Sequence, residues 1–240
     1  MQKNKFIITI LILSIFLLAI SMGDILPGIA NFHKNKTDVL SEAGLEISRN
    51  IKNIDALNKY LLSEDIEETD ILAIVENKVA ISSFEFQLRK SLHEAFGTYQ
   101  TPDELFKKLL TEKIILLEAQ KLELLPTEKE VQEFINWQKE QIEVIGQDQE
   151  ILKIILEAGN LNEDEYWNVY ERYNTIRILT EKKLYDVVIN SAVNNGDLPP
   201  VQDEQISMEE LRKRENYFIN YIENLKSNAN VQIKDNKGMG

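Results

Sequence analysis

The chain contains no cysteine, and only nine glycines and five prolines are spread over its 240 residues. The absence of cysteine excludes disulfide bonds, thiolate nucleophiles, thiolate zinc sites and lipid attachment through an N-terminal cysteine. The scarcity of glycine and proline argues against a sandwich of many strands, which needs a turn signal about every ten residues. We therefore expect long helices around a core of moderate size.

Basic residues are also scarce, since 27 Lys and Arg stand against 40 Asp and Glu and give a formal net charge of −13. A surface this negative repels phosphate backbones, so no nucleic-acid partner is expected. The two histidines, His33 and His93, have no pattern of nucleophiles or metal ligands around them. No phosphate loop, nucleophile elbow or zinc motif is present. We predict no catalytic residue, no metal site and no cofactor.

One long apolar run, Phe6–Gly23, carries no charge and follows Lys3 and Lys5. Cations ahead of such a run keep the N-terminus in the cytoplasm and send the following chain across the membrane, so residues 1–23 are predicted to be an export signal. Two segments place small residues where signal peptidase requires them, Ala19-Ile20-Ser21 and Ser21-Met22-Gly23. The run would also span roughly 27 Å as a helix, nearly the thickness of a bilayer core. Cleaved signal peptide and retained transmembrane anchor are both open, and the domain is expected at the outside of the cell membrane or secreted.

Strand composition occurs at two distant places in a mostly helical pattern. Ile71–Ile81 is rich in β-branched residues around Glu76-Asn77-Lys78, and asparagine tolerates the positive φ of a tight turn, which predicts one bent strand or a short hairpin. Ala229–Ile233 has similar composition, and we predict that it pairs with Ile71–Ile81. We divide the rest into a juxtamembrane spacer with a weak helix (24–69), a helical domain (70–234) and a disordered tail (235–240).

Helix starts are marked by one repeated signal, a Ser or Thr followed three residues later by Glu. Such capping boxes satisfy the free N–H groups of a first helical turn. They predict helices after Ser82, Thr101, Thr127 and Ser207. A short helix is expected between Gly146 and Gly159, and Asn162 can cap a long helix from Glu163 to about Ser191.

The order of these elements resembles the N-terminal chaperone domain of SurA and PrsA, the extracytoplasmic foldases. The resemblance is carried by VENKVAISSFEF, TPDELFKKLLTEKIILLEAQKLEL, LPTEKEVQEFINWQKEQ, NEDEYWNVY and the tail YFINYIENLKSNANVQI. It covers about residues 70–191 and 209–233, and its helical part is also similar to the peptide-binding region of trigger factor. It implies a mostly α, SurA N-terminal-like helical domain with a small strand pairing, which binds unfolded or exported polypeptides.

One departure from that family concerns residues 192–206, where relatives commonly carry a parvulin-type prolyl isomerase domain. The interval is far too short for such a domain, and the histidines usual in parvulins are missing. The resemblance therefore implies chaperone-like binding without enzymatic chemistry, tied to the membrane through the N-terminal segment. Two alternatives are a membrane-tethered interaction or scaffold protein of an envelope complex on the same fold, and a peptidyl-prolyl isomerase with an unrecognised site. The sequence carries no signal for an oligomeric state.

Aromatic residues are the candidates for contact with a client polypeptide, because such side chains combine apolar area with a polar tip. The densest group lies at helical spacing in the long helix, where a stripe of this kind is more often part of the core. Trp137 lies off the apolar stripe of its own helix, and two more rings lie near a helix end. The predicted client-binding residues are Trp137, Tyr166, Trp167, Tyr170, Phe96 and Tyr99.

Overall fold

The structure is a computed structural model that describes residues 36–61, 71–95, 100–144, 146–201 and 206–234. In chain order its elements are α1 (Lys36–Leu61), β1 (Ile71–Val75), β2 (Val79–Ser82), α2 (Ser83–Ala95), α3 (Pro102–Lys121), α4 (Glu128–Val144), α5 (Gly146–Gly159), α6 (Glu163–Glu165), the π-helical segment π1 (Tyr166–Glu171), α7 (Arg172–Asn195), α8 (Met208–Asn228) and β3 (Val231–Ile233). The described chain is mostly helical with one small antiparallel sheet, as the sequence predicts.

The predicted signal or anchor at residues 1–23 lies outside the described residues, as does the predicted tail at 235–240. Within the described ranges, no helix combines the length and the apolar content needed to cross a bilayer.

The sheet has the strand order β2-β1-β3, with β1 antiparallel to both neighbours. The hairpin between β1 and β2 has a three-residue loop, Glu76–Lys78, because Val75 pairs with Val79. Glu76 and Asn77 have positive φ values of 53° and 56°, and the Lys78 N–H donates to the Val75 carbonyl at 3.0 Å. β3 pairs with β1 in a register that places Val231 opposite Val75 and Ile233 opposite Ala73. Of the two alternatives for Ile71–Ile81, the structure has the hairpin and not the single bent strand. The predicted pairing of the two distant segments is confirmed.

Capping boxes begin the helices much as the sequence predicts. Both halves of the box form at four positions, namely Thr101/Glu104, Thr127/Glu130, Asn162/Glu165 and Ser207/Glu210. At α2 only one half forms, because Ser82 Oγ accepts from the Glu85 N–H at 3.0 Å while the Glu85 carboxylate turns into the interior. The box predicted at Ser82 is corrected accordingly, and its glutamate is a core residue.

α1 is a full member of the core, which changes the domain boundary predicted from sequence. Ala43, Ile47 and Ile54 are completely buried in the largest apolar cluster, together with residues of α4, α5, π1 and α7. The sequence pattern predicts a spacer with a weak helix at residues 24–69. The described part of that range is a packed helix of 26 residues, so the domain includes α1. Its loosely spaced apolar residues are buried by α5 and π1, partners that the local pattern does not reveal.

α1 and α5 approach each other through their backbones at one crossing point. A Cβ atom built on Gly44 would lie 2.3 Å from the Ile155 carbonyl oxygen, and one built on Gly159 would lie 2.4 Å from the Gly44 carbonyl oxygen. No other residue type fits these two positions without moving the helices apart. The two glycines therefore fix how closely α1 packs.

α6, π1 and α7 run on without a break from Glu163 to Asn195, so the long predicted helix is present with an irregular first part. The buried Asn58 side chain of α1 donates through Nδ2 to the Val169 carbonyl of π1 at 2.9 Å. This hydrogen bond links α1 to π1 in addition to their apolar contacts. Gly196 ends α7 in the left-handed conformation, with a φ of 82°.

Candidate functional site

An open groove of about 630 Å³ lies between the hairpin turn, α3 and the end of α8. Its walls come from three parts of the chain that the pairing of β3 with β1 brings together. The lining residues are Val75, Glu76, Asn77, Lys78, Ile114, Leu117, Glu118, Gln120, Lys121, Leu225, Asn228 and Ala229. We call this feature the α3–α8 groove. Its volume lies in the range of pockets that bind ligands of moderate size.

The floor of the α3–α8 groove is apolar and its rim is polar. Val75 and Ile114 are buried beneath it, whereas Leu117 is half-buried and belongs to none of the three core clusters. Leu225, also half-buried, packs on the cluster formed by α7 and α8. Leu117 therefore presents apolar surface to the groove without serving the core.

The acidic groups on the rim are already engaged by the protein. Glu118 accepts hydrogen bonds from the Tyr221 hydroxyl at 2.8 Å and from Lys121 Nζ at 3.2 Å. Burial, and then the hydrogen bond to Glu118, raise the pKa of Tyr221 to about 12. Glu76 accepts from the Asn230 N–H at 2.6 Å. Lys78 is exposed and forms no ion pair within the described part of the chain, so its ammonium group is available to a bound molecule.

A second constellation of polar groups lies inside the helices rather than in the groove. Residues spaced by four on α2 and on α7 meet the middle of α3 and form what we call the buried ionic cluster. Its members are Glu85, Arg89 and His93 of α2, Glu112 and Lys113 of α3, and Tyr173, Arg177 and Glu181 of α7.

The first half of the buried ionic cluster is an ion pair with a phenol. Lys113 Nζ lies 2.7 Å from Glu85 Oε2, and the Tyr173 hydroxyl donates to Glu85 Oε1 at 3.2 Å. All three side chains are buried. An ion pair in this setting stabilises little in net terms, but removal of one partner leaves an uncompensated charge. The pair therefore constrains how α2, α3 and α7 fit together.

The second half is centred on Glu112, which accepts from Arg89 at 3.1 Å and from both Nε and Nη2 of Arg177. Burial raises the pKa of Glu112, but the two guanidinium groups outweigh burial and bring that pKa down to about 2. Burial, and then the positive charges of Arg89 and Lys108, lower the pKa of His93 to about 4. His93 is therefore neutral at physiological pH.

Glu85 and Glu112 are each paired with cations, and burial raises the pKa of Glu181 at the margin of the cluster. The adjoining cavity of about 30 Å³ has room for one or two water molecules. A substrate has no space there, so we interpret the cluster as a device that fixes helix packing. Among the described residues, no three Asp, Glu or His side chains are placed to hold a metal ion.

The predicted client-binding residues do not line the groove. Tyr166, Trp167 and Tyr170 are 8%, 3% and 6% exposed and belong to the largest core cluster, where Tyr166 packs against both of the other rings. The three rings thus serve the core, and they present no surface to a client in this structure. Trp137 is half-buried on α4 beside Phe134, with ring centres 5.4 Å apart. Phe96 and Tyr99 lie outside the described residues.

Sequence reasoning missed the groove residues, although one signal pointed to them. The predicted pairing of Ala229–Ile233 with Ile71–Ile81 requires the end of the last helix to lie beside the hairpin turn. That closure brings Ala229 and the hairpin turn to the same side of α3, where they form the groove.

The chain matches no family model, no curated protein and no solved structure.

Proposed function

We propose that this protein is a chaperone-like binder of unfolded or exported polypeptides that acts outside the cytoplasmic membrane. The observation that carries the proposal is the α3–α8 groove, which is open, apolar in its floor and polar at its rim. Unfolded chains expose apolar side chains in no fixed sequence, and such a groove holds them without reading a sequence.

The sequence supplies the setting for this activity. The apolar run at Phe6–Gly23, preceded by lysines, is typical of an export signal or a membrane anchor. The order of elements resembles the SurA and PrsA chaperone domain, and the interval at 192–206 leaves no room for an isomerase domain. We therefore propose binding that lowers the concentration of free, aggregation-prone client, with no bond-changing step.

The test is suppression of aggregation by the full chain, held in a mild detergent, with detergent alone as the blank. Three unrelated denatured proteins are diluted into each solution and light scattering is followed. We expect scattering from all three to fall by roughly half once the concentration of the chain reaches its Kd for the client. A chain that leaves all three to aggregate as fast as the blank contradicts the proposal.

Two variants locate the activity in the groove. Leu117→Gln places an amide on the apolar floor without opening a core cluster, and it should weaken the suppression. Ile219→Gln is the matched control, because Ile219 is exposed on α8 and does not line the groove. If the two variants behave alike, the groove is not the binding surface.

The alternatives give different results in the same preparation. A scaffold protein of an envelope complex would leave denatured proteins to aggregate and would retain one folded partner. An isomerase would accelerate cleavage of a proline peptide in a protease-coupled assay, where we expect the rate measured with buffer alone.

A further inference from the structure

The outer edge of β3 carries backbone groups that are directed away from the sheet. The Glu76 N–H donates to the Asn230 carbonyl at 2.9 Å, and the Lys234 N–H donates to the Leu72 carbonyl at 2.8 Å. In an antiparallel ladder the residues that bond to the neighbouring strand alternate with residues that do not. Residues 230, 232 and 234 therefore face β1, and the N–H and C=O groups of Val231 and Ile233 point outward.

These outward groups are not covered by any described part of the chain. β3 is the last strand on its side of the sheet, and no described backbone group bonds to Val231 or Ile233 from outside. The Ile233 side chain is 55% exposed. No proline and no bulge interrupts the β3 edge in its pairing with β1, although both are common means of protecting an open edge.

The open edge adjoins the α3–α8 groove. Val231 is paired with Val75, which lines the groove, and Ala229 lies in the groove wall two residues before it. A residue opposite Val231 on an added strand would share the sheet face of Val231 and Val75. That face packs on α3, because Val231 contacts the apolar cluster formed by the sheet and α3. One extended segment can thus bond to β3 and place alternate side chains against the groove side of the sheet.

We infer that an extended segment of an unfolded client adds to β3 as a fourth strand, with its alternate apolar side chains turned toward the groove. This inference rests on the proposed function and names how the client is held. The charges indicate the class of segment, since Lys234 directly follows β3 and Lys78 lines the adjoining groove on the far side of β1. Both are exposed and form no ion pair in the described chain. Segments with alternating apolar residues and an acidic residue at each end fit best.

The edge suits a client better than a second copy of this chain. Each copy carries a net charge of −13, so two copies repel each other over long range. The three paired residues of β3 offer too short an edge to outweigh that repulsion.

The probe is a fluorescent peptide of alternating valine and threonine with a glutamate at each end, titrated with the full chain in mild detergent. Ile233→Pro removes an outward N–H and leaves the bonds between β3 and β1 in place, because proline is tolerated where the N–H faces away from the ladder. Ile233→Thr is the matched control, since it shortens the side chain and keeps the N–H. Thermal unfolding of both variants checks that each remains folded.

We expect Ile233→Pro to weaken peptide binding about tenfold and Ile233→Thr to weaken it less than about threefold. Equal affinity for both variants overturns the inference. The inference is also overturned if Ile233→Pro leaves peptide binding unchanged and converts a dimer into a monomer. In that case the β3 edge joins two copies of the chain. Peptide binding that appears only after deletion of residues 235–240 overturns it as well, since that tail would be the occupant.

The two proposals fail separately. If Leu117→Gln reduces aggregation suppression while Ile233→Pro leaves it intact, the groove is retained and the strand addition is rejected. If the unmodified chain protects no denatured protein, the proposed function itself is rejected.

Discussion

Replacement of Gly44 by alanine should destabilise the protein, although alanine is the better helix former. Gly44 lies within α1, where the intrinsic preference for alanine over glycine favours the variant by about 1 kcal/mol. The new Cβ atom would lie 2.3 Å from the Ile155 carbonyl oxygen of α5, a backbone atom that cannot rotate away. The two effects have opposite signs, so the sign of the change is itself informative.

The magnitude follows from the distance that the helices must open. Bringing the contact from 2.3 Å to 3.0 Å, below which Cβ atoms essentially never lie, separates α1 and α5 by about 0.7 Å. A gap of that size forfeits a quarter to a half of the attraction between the atoms that it parts. Overpacking of this kind costs about 3 kcal/mol at its usual upper end. The gain of about 1 kcal/mol in helix propensity offsets part of this cost, so the free energy of unfolding should fall by about 2 kcal/mol.

The assay is thermal unfolding of the full chain followed by circular dichroism. For a domain of this size about 2 kcal/mol lowers the Tm by about 4–8 °C. Gly196→Ala is the control, because a Cβ there meets nothing within 4 Å and only the φ of 82° opposes it; its cost should be about 1 kcal/mol. An unchanged or raised Tm for Gly44→Ala would refute the close crossing.

Two further predictions concern the buried ionic cluster. Between pH 6.5 and about 4 the unfolded chain binds a proton at His93 while the folded chain does not, so acidification should lower the unfolding free energy by about 2 kcal/mol. His93→Gln should flatten that part of the curve in urea titrations at each pH, and superimposable curves would contradict the lowered pKa. Glu112→Gln should cost about 3 kcal/mol in the same titrations because Arg89 and Arg177 lose their shared carboxylate. Glu128→Gln, at an exposed ion pair, should cost less than about 1 kcal/mol, and losses of similar size would show that burial does not matter here.

The parts of the fold that sequence predicted well depend on interactions between near neighbours. A capping box joins residues three positions apart, so Thr101 and Ser207 revealed their helices without any knowledge of the rest of the chain. The turn at Asn77 is equally local. The pairing of β3 with β1 was the one distant contact foreseen, and it followed from two isolated stretches of strand composition.

The parts that sequence did not predict depend on partners that are distant in the chain. The apolar residues of α1 are spaced loosely, and their place in the core becomes visible only with partners such as α2, α5 and π1. The Glu85 carboxylate had two possible roles, the cap of its own helix and an ion pair with Lys113. The choice between them requires α3 to be placed first. The aromatic stripe at Tyr166 likewise fits either a core position or an exposed binding surface. Only its burial in the fold shows that it belongs to the core.

The pairing of β3 with β1 also determines when the groove can form during synthesis of the chain. The Asn230 N–H and the Glu76 carboxylate are 154 positions apart, so a ribosome makes the second partner roughly eight to thirty seconds after the first. During that interval one side of β1 has no neighbour, and the wall contributed by α8 does not exist. A nascent chain therefore has no groove until α8 and β3 have been made, and the proposed binding can begin only after that point.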